Sequence, residues 1–487
     1  MNNTRNVRTR YAPSPTGFFH IGGARTALFN YLFARHHNGQ FIVRIEDTDI
    51  ERNVSGGVDS QLNSLDWLHL TPDESPRTPG KFPPYIQTEK LKRYQELAHQ
   101  LLGEHKAYYC FCSKEELEHQ REEALKNGHT PKYNRSCAHL SAQEVQNKLD
   151  NKIPGVIRLK MPDNIDIKWH DLIRGDMSVP TSALTDPVIL KSNGIPMYNF
   201  AVVVDDYDMD ITHVLRGEEH ISNTPYQIAI KQALKFDIKP IEYGHLSIIV
   251  DDTGKKLSKR NLELKQFVED YKKMGFVPEA IVNFLALLGW SAKSNQEIMS
   301  LSELEKTFDI DRVSKAPAYF DFKKMLWISN SYIKRMDEQA YLQFVKPFIT
   351  IDLNSFNNKI DELLLIFKSQ LSYAEEINKL ITDTFLSTDF NQLSPEMHSI
   401  VKSDASQKNL AALKQILTAL HEELNMINSN EVVNQVKIQT GLTGKDLYFP
   451  IRFAAIGKEH GPEMNKILSV VGKARVLENI DILTRIK

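Results

Sequence analysis

Apolar positions in the first two-thirds of the chain alternate between two periods. Residues 7–12, 41–45, 155–160, 211–216 and 246–250 are short runs of the kind that fill buried strands. Between the first two runs lies a helical stretch ending near His36, with Ala24, Ala27, Leu28, Tyr31 and Leu32 at helical spacing. Phe29 and Phe33 make its other side apolar as well, which predicts a buried helix. Strand, Pro/Gly loop over 13–23, helix and strand together are the pattern of a parallel α/β sheet. The second strand opens into the polar run Glu46-Asp47-Thr48-Asp49.

Residues 107–190 interrupt that pattern with several short β-type runs, and the pattern resumes near Met197. Beyond about residue 330 helical periodicity takes over, as in Leu410, Leu413, Leu417, Leu420 and Leu424. The expected division is therefore two halves of one α/β domain over 1–106 and 191–330, an insertion over 107–190, and a helical region over 331–487, with the boundary between 320 and 335. A length of 487 residues suits two to four domains.

Composition changes this picture little. Hydrophobic residues make up 41% and charged residues 25%, the balance of a globular protein. No apolar run nears the roughly 18 residues that a membrane span needs. Residues 1–10 are polar and basic with no apolar segment behind them, unlike a signal peptide, so the expected location is the cytoplasm. The net charge of −2 neither requires nor excludes nucleic acid, since 60 Lys and Arg can form a basic face locally. Three cysteines exclude a disulfide framework.

Three segments carry candidate chemistry. The loop Ala12-Pro13-Ser14-Pro15-Thr16-Gly17-Phe18-Phe19-His20-Ile21-Gly22-Gly23 follows a strand and opens a helix. Its glycines let backbone approach a ligand, the helix N-terminus offers N–H groups to phosphates, and His20 sits where an imidazole can donate to a phosphate oxygen. A structural turn with a capping histidine would use the same residues. The spacing is neither that of a P-loop nor that of a dinucleotide fingerprint. A second segment, Asp251-Asp252-Thr253-Gly254, is a turn that leads into Lys255-Lys256-Leu257-Ser258-Lys259-Arg260. Four cations in six residues suit a phosphate chain whose charge grows during attack, or simply a solvated basic loop. The third is Cys110-x-Cys112 with Cys137-x-His139, two closely spaced pairs of the kind that hold tetrahedral zinc. Three buried free cysteines and an unrelated surface histidine are the alternative.

Together the first two loops resemble the signature pair of class I aminoacyl-tRNA synthetases: His20-Ile21-Gly22-Gly23 matches the HIGH motif and Lys256-Leu257-Ser258-Lys259-Arg260 the KMSKS motif. The finer resemblance is to glutamyl-tRNA synthetases of the bacterial type. It runs through residues 10–17, 41–49, 198–206 and 216–220 and, more weakly, 444–461, which makes it nearly full length. Two departures stand out: Gly23 replaces the second histidine of HIGH, as is usual in glutamyl enzymes, and Asn261-Leu262-Glu263 follows the lysine motif where bacterial relatives commonly have His-Gly-Ala.

The resemblance implies a Rossmann-type catalytic core, an inserted zinc-bearing domain that meets the tRNA acceptor end, and an all-helical anticodon-binding region. It implies a glutamate pocket of Arg10, Ala12, Ser14, Glu46, Tyr198, Val202 and Arg216, with arginine suited to the γ-carboxylate and Glu46 accepting from the α-ammonium. ATP with Mg2+ would lie against His20, Gly22, Gly23, Glu219, Leu246 and Lys259, with His20, Lys256 and Lys259 as the catalytic cations and donors. Cys110, Cys112, Cys137 and His139 would hold one structural zinc. The implied partner is tRNA(Glu), with tRNA(Gln) an open second substrate; tRNA is expected to be needed for activation, and the family default is a monomer. Three rivals remain at this point. A truncated relative that modifies a tRNA base lacks the helical region, glutaminyl enzymes end in β-barrels, and a non-catalytic tRNA-binding paralogue does not need His20, Lys256 and Lys259.

Overall fold

The computed structural model describes residues 6–256, 265–390 and 393–485. The chain divides into two compact units, residues 1–272 with 278–325 and residues 273–277 with 326–487.

Among the described residues, eleven strands lie in the first unit: β1 (Arg8–Tyr11), β2 (Gln40–Val43), β3 (Ala107–Cys110), β4 (Val156–Leu159), β5 (Asp166–Asp171), β6 (Gly175–Pro180), β7 (Val188–Leu190), β8 (His213–Gly217), β9 (Glu242–Leu246), β10 (Ile249–Val250) and β11 (Ala318–Tyr319). Six of them form the main sheet in the order β2-β1-β8-β9-β5-β6, parallel throughout except for the β5–β6 hairpin. The chain runs outward from β1 to β2 and later returns to β1's other side as β8. The order therefore reverses at β1, and a ligand crevice is expected at the carboxyl ends of β1 and β8.

The predicted helix is α1 (Ile21–His36), and it is buried on nearly every side, including Ala24, Ala27, Leu28, Phe29, Leu32 and Phe33. Strand β1 is buried although it carries two arginines. The two-residue period puts Arg8 and Arg10 on one face, where Arg8 pairs with Glu74 at 2.9 Å and Arg10 with Asp206 at 3.1 Å. Asp206 comes from α2 (Tyr198–Asp208), and α3 (Thr224–Ala233) follows β8.

Two expectations change. Residues 107–190 are not wholly an insertion: β3, β4 and β7 make a separate antiparallel sheet, but β5 and β6 between them complete the main sheet. The expected single run over 246–250 is also broken after Leu246. The backbone there is recruited elsewhere: Arg25 donates to Ser247 O, Ile248 N–H donates to Glu218 at 3.0 Å, and β10 pairs with β11.

The second unit has only helices among its described residues from 338 onward, with Asp404–Ala419, Met426–Thr440, Gly444–Ile456, Met464–Val471 and Lys473–Arg485 its larger elements. Leu410, Leu413 and Leu417 are buried on one helix. That helix stops at Ala419 rather than continuing to Leu424; Leu420 is extended, and Lys473 donates to its carbonyl at 2.8 Å. Among the described residues no helix is long and apolar enough to cross a membrane.

Candidate active site

A cleft of about 760 Å³ opens at the carboxyl ends of β1 and β8, where the strand order reverses. Its walls include Arg10, Ala12, Ser14, His20, Gly22, Gly23, Glu46, Tyr198, Arg216, Glu219 and Lys256. The structure thus brings most of the sequence-predicted residues to one place. Val202 and Leu246 are buried and lie outside the cleft wall, where Ser247, Ile248 and Ile249 stand instead of Leu246. Lys259, with Leu257, Ser258, Arg260 and Asn261-Leu262-Glu263, lies outside the described residues.

His20 is the N-cap of α1, and its Nδ1 accepts from Gly23 N–H at 3.0 Å. Ile21 N–H donates to Gln266 O at 2.9 Å. Of the first three helical N–H groups, only that of Gly22 is left without a partner among the described residues. The capping histidine and the cleft-lining histidine are one residue. Desolvation lowers the His20 pKa, opposed by Glu219 and aided by Lys256, so the ring is neutral near pH 7.

The chain is held on both sides of the lysine run, by its own turn before it and by the His20 loop after it. Asp251 N–H donates to Lys255 O at 2.9 Å across a turn, and Lys256 bridges back to Val250. At the far side Phe267 bridges to His20, and Val268 N–H donates to Phe19 O at 2.9 Å.

A buried charge cage floors the cleft. Arg44 lies among Asp206 at 2.8 Å, Glu46 at 3.0 Å and Asp205 at 3.5 Å, while Arg10 spans both oxygens of Asp206. Burial raises the Glu46 pKa, against the pull of Arg44 and Arg10. For Asp206 burial also pushes upward, but Arg10 and Arg44 outweigh it and hold the carboxyl below its ordinary value. Arg216, at the end of β8, donates from Nη2 to Thr224 at 2.8 Å and from Nε to His245 at 3.2 Å. Its Nη1 is buried and has no partner among the described residues. His220 lines the same wall, 3.2 Å from the Tyr198 hydroxyl, with its pKa pushed down to about 4 by burial and by Arg216.

Sequence reasoning gave no role to Arg44, Asp206, Thr224, His220 or His245. A usable signal existed for the first two: an arginine inside an apolar strand and an Asp-Asp pair inside an apolar helix each need buried partners of opposite charge.

The cysteines meet away from this cleft. Cys110 ends β3, and Cys137 lies in the turn Ser136–His139; with Cys112 their sulfurs all lie within 4.8 Å of one another. Zinc–thiolate bonds of about 2.3 Å set tetrahedral sulfurs roughly 3.8 Å apart, so the three thiols fit zinc. His139 does not join them, and its side chain is exposed. Two hydroxyls lie beside the sulfurs, that of Tyr133, 3.3 Å from Cys110 and 3.5 Å from Cys112, and that of Ser136, 3.4 Å from Cys112.

Comparison with known proteins agrees with this geometry. Residues 6–327 match the family "tRNA synthetases class I (E and Q), catalytic domain", and residues 340–483 match "Anticodon binding domain". A glutamate–tRNA ligase of Malacoplasma penetrans is 56% identical over 98% of each chain, and one of Mycoplasmoides gallisepticum is 51% identical over 98% of this chain and 97% of the relative. A crystal structure of a glutamate tRNA ligase from Elizabethkingia meningosepticum in complex with its amino acid superposes with a TM-score of 0.88 at 31% identity, covering 99% of this chain and 100% of that one. With a signature histidine capping a helix at the switch point of a parallel sheet, and relatives alike over nearly their whole length, this chain belongs to the glutamate–tRNA ligase family of class I synthetases.

Proposed function

We propose that the cleft activates L-glutamate with ATP and passes the glutamyl group to the 3′-terminal adenosine of tRNA(Glu), releasing pyrophosphate and AMP. The observation that carries this reading is the buried, unpartnered Nη1 of Arg216 in a cleft that also holds His20 and Lys256. A buried cationic N–H without an acceptor is costly unless a ligand supplies one, and a carboxylate does so.

Arg216 takes the substrate γ-carboxylate, supported by Arg10 and the Tyr198 hydroxyl, while Glu46 accepts from the α-ammonium. Ala12 and Ser14 line the same end of the pocket. The α-carboxylate then attacks the α-phosphorus in line with the departing pyrophosphate. With Nδ1 of His20 occupied by Gly23, the ring proton is on Nε2, from which it donates to a phosphate oxygen. Gly22 N–H and the lysines, Lys256 and Lys259, add positive charge where the leaving group becomes more negative. Glu219 and the backbone over 247–249 stand at the nucleoside end. Class I synthetases use ATP with Mg2+, which offsets phosphate charge. No covalent enzyme intermediate is needed, so the protein's contribution is positioning and electrostatics.

Cys110, Cys112 and Cys137 would hold a structural zinc, and the helical unit would bind the anticodon. We take the enzyme to be a cytoplasmic monomer. ATP–pyrophosphate exchange with each amino acid, with and without tRNA, tests the reading. Exchange confined to glutamate and dependent on tRNA is expected. No exchange from folded protein with any amino acid and added tRNA would point to a tRNA-binding paralogue instead.

A further inference from the structure

The Arg216 guanidinium is held from behind by groups that do not reach the cleft wall. Parallel pairing of β8 with β9 places His245 beside Arg216, and β5 joins β9 at Asp171 and Tyr243. Asp171, His245 and Thr224 are all at most 1% exposed. One Asp171 oxygen accepts three backbone N–H groups, from Arg174 at 2.9 Å, Ile173 at 3.0 Å and His245 at 3.2 Å. Its other oxygen is therefore fixed, and it takes His245 Nδ1 at 2.5 Å. A ring that donates from Nδ1 to a carboxylate carries its lone pair on Nε2, which accepts Nε–H of Arg216 at 3.2 Å. The Thr224 hydroxyl accepts Nη2 of Arg216 at 2.8 Å and has two acceptors for its own proton, His245 Nε2 at 3.1 Å and His220 O at 3.2 Å.

We propose that Asp171, His245 and Thr224 are positioning residues that fix the orientation of Arg216 and so set the enzyme's affinity for the substrate side-chain carboxylate. Three links define the orientation. Asp171 sets the His245 tautomer, His245 fixes Nε, and Thr224 fixes Nη2. That leaves Nη1 as the group turned to the ligand. The tautomer matters because an imidazolium would present a second N–H, and a like charge, to the guanidinium. Burial lowers the His245 pKa and Arg216 lowers it further, against the pull of Asp171; the neutral ring is the state that this geometry needs. A guanidinium held at two nitrogens loses little further freedom when a planar carboxylate docks, which is where the gain in affinity arises.

The inference rests on Arg216 being the glutamate-binding cation, so the test separates the two. Steady-state KM values for glutamate, ATP and tRNA are measured for His245→Leu, His245→Gln, Thr224→Val and Arg216→Ala in the full chain. Removing the acceptor of a charged hydrogen bond should raise the glutamate KM about tenfold to a hundredfold in His245→Leu, with the ATP and tRNA KM values held within about twofold. His245→Gln, whose amide oxygen again offers an acceptor, should recover most of that loss. Thr224→Val, which removes a neighbour of His245 Nε2 but leaves the Asp171–His245 link in place, should raise the glutamate KM alone and carries the test where the leucine variant does not fold. If Arg216→Ala raises the glutamate KM but the His245 and Thr224 variants do not, the positioning role is wrong and the pocket stands. If Arg216→Ala leaves that KM unchanged, the pocket reading falls and takes this inference with it. Equal rises for glutamate and ATP without rescue by glutamine mean a purely structural pair, which also overturns the proposal.

Discussion

Nδ1 of His20 accepts the backbone N–H of Gly23 at 3.0 Å, so one ring caps a helix and still presents Nε2–H to the cleft. The two functions can be separated by substitution. Asparagine is a good N-cap whose side-chain oxygen serves the same N–H, but it lacks the outward donor. His20→Asn should melt within a few degrees of the parent, while pyrophosphate exchange falls by about a hundredfold, the usual loss for one transition-state donor. His20→Ala should lose activity similarly and also about 1 kcal/mol of stability through the lost cap. Thermal melts and exchange rates on the same preparations decide this; an active His20→Asn would remove the histidine from the chemistry.

Gly23 is explained by its neighbour. A Cβ at this position would lie 2.7 Å from the hydroxyl of Tyr11, which is buried and donates to Gln61 at 3.0 Å. Alanine normally improves a helix by about 1 kcal/mol over glycine, whereas overpacking costs about 1–3 kcal/mol. Gly23→Ala should therefore be destabilising overall. In a Tyr11→Phe background, where the hydroxyl is gone, the same change should become neutral or stabilising. Denaturation midpoints of the four proteins in this cycle measure the coupling, and additive effects would contradict the contact.

The charge cage gives stability a defined pH dependence. Asp206 has a folded pKa below its ordinary value, so its contribution is full above the unfolded-state pKa near 4 and is lost as pH falls through the lower folded value. Asp206→Asn leaves Arg10 without its carboxylate and Arg44 with one fewer, both buried. A loss of about 3–5 kcal/mol is expected at pH 7. The gap between the two proteins should narrow as pH falls below about 4, because protonation then does to the parent what the substitution does. Denaturant unfolding followed from pH 7 downward checks both the size and the direction.

How far these residues could be read in advance followed from where their partners lie. His20, Gly22, Gly23 and Lys256 sit in two short contiguous segments whose spacing carries the signal, and the strand–loop–helix–strand unit around the first is fixed by local periodicity. Asp171 and His245 are 74 residues apart and meet only because β5 joins the main sheet. The alternation over Asp166–Asp171 announces a strand but not its neighbour, so the segment read as part of an insertion. Arg216 was legible through the family resemblance, but not the three residues that aim it. Leu420 and Leu424 fit a helical period yet lie beyond the helix, where Leu420 is extended and a lysine 53 residues later donates to its carbonyl.

The cysteine site separates two readings of its fourth ligand. Cys-x-Cys with Cys-x-His spacing points to His139, but the turn Ser136–His139 carries Cys137 to the other sulfurs and leaves His139 exposed. The Tyr133 hydroxyl lies within 3.5 Å of both Cys110 and Cys112 and accepts the N–H of Cys137 at 3.0 Å. If three thiolates hold the ion, His139→Ala should retain about one zinc per chain, whereas Cys112→Ser should lose it. Cobalt substitution gives a readout independent of aminoacylation, since its thiolate charge-transfer bands should survive the histidine change and weaken in the cysteine variant. Chelation should then lower the melting temperature of the parent and of His139→Ala alike, because the ion would tie the end of β3 to the Cys137 turn and binding to the folded state alone stabilises it. Loss of zinc in His139→Ala would mean that the turn rearranges around the ion and that the spacing was the better guide.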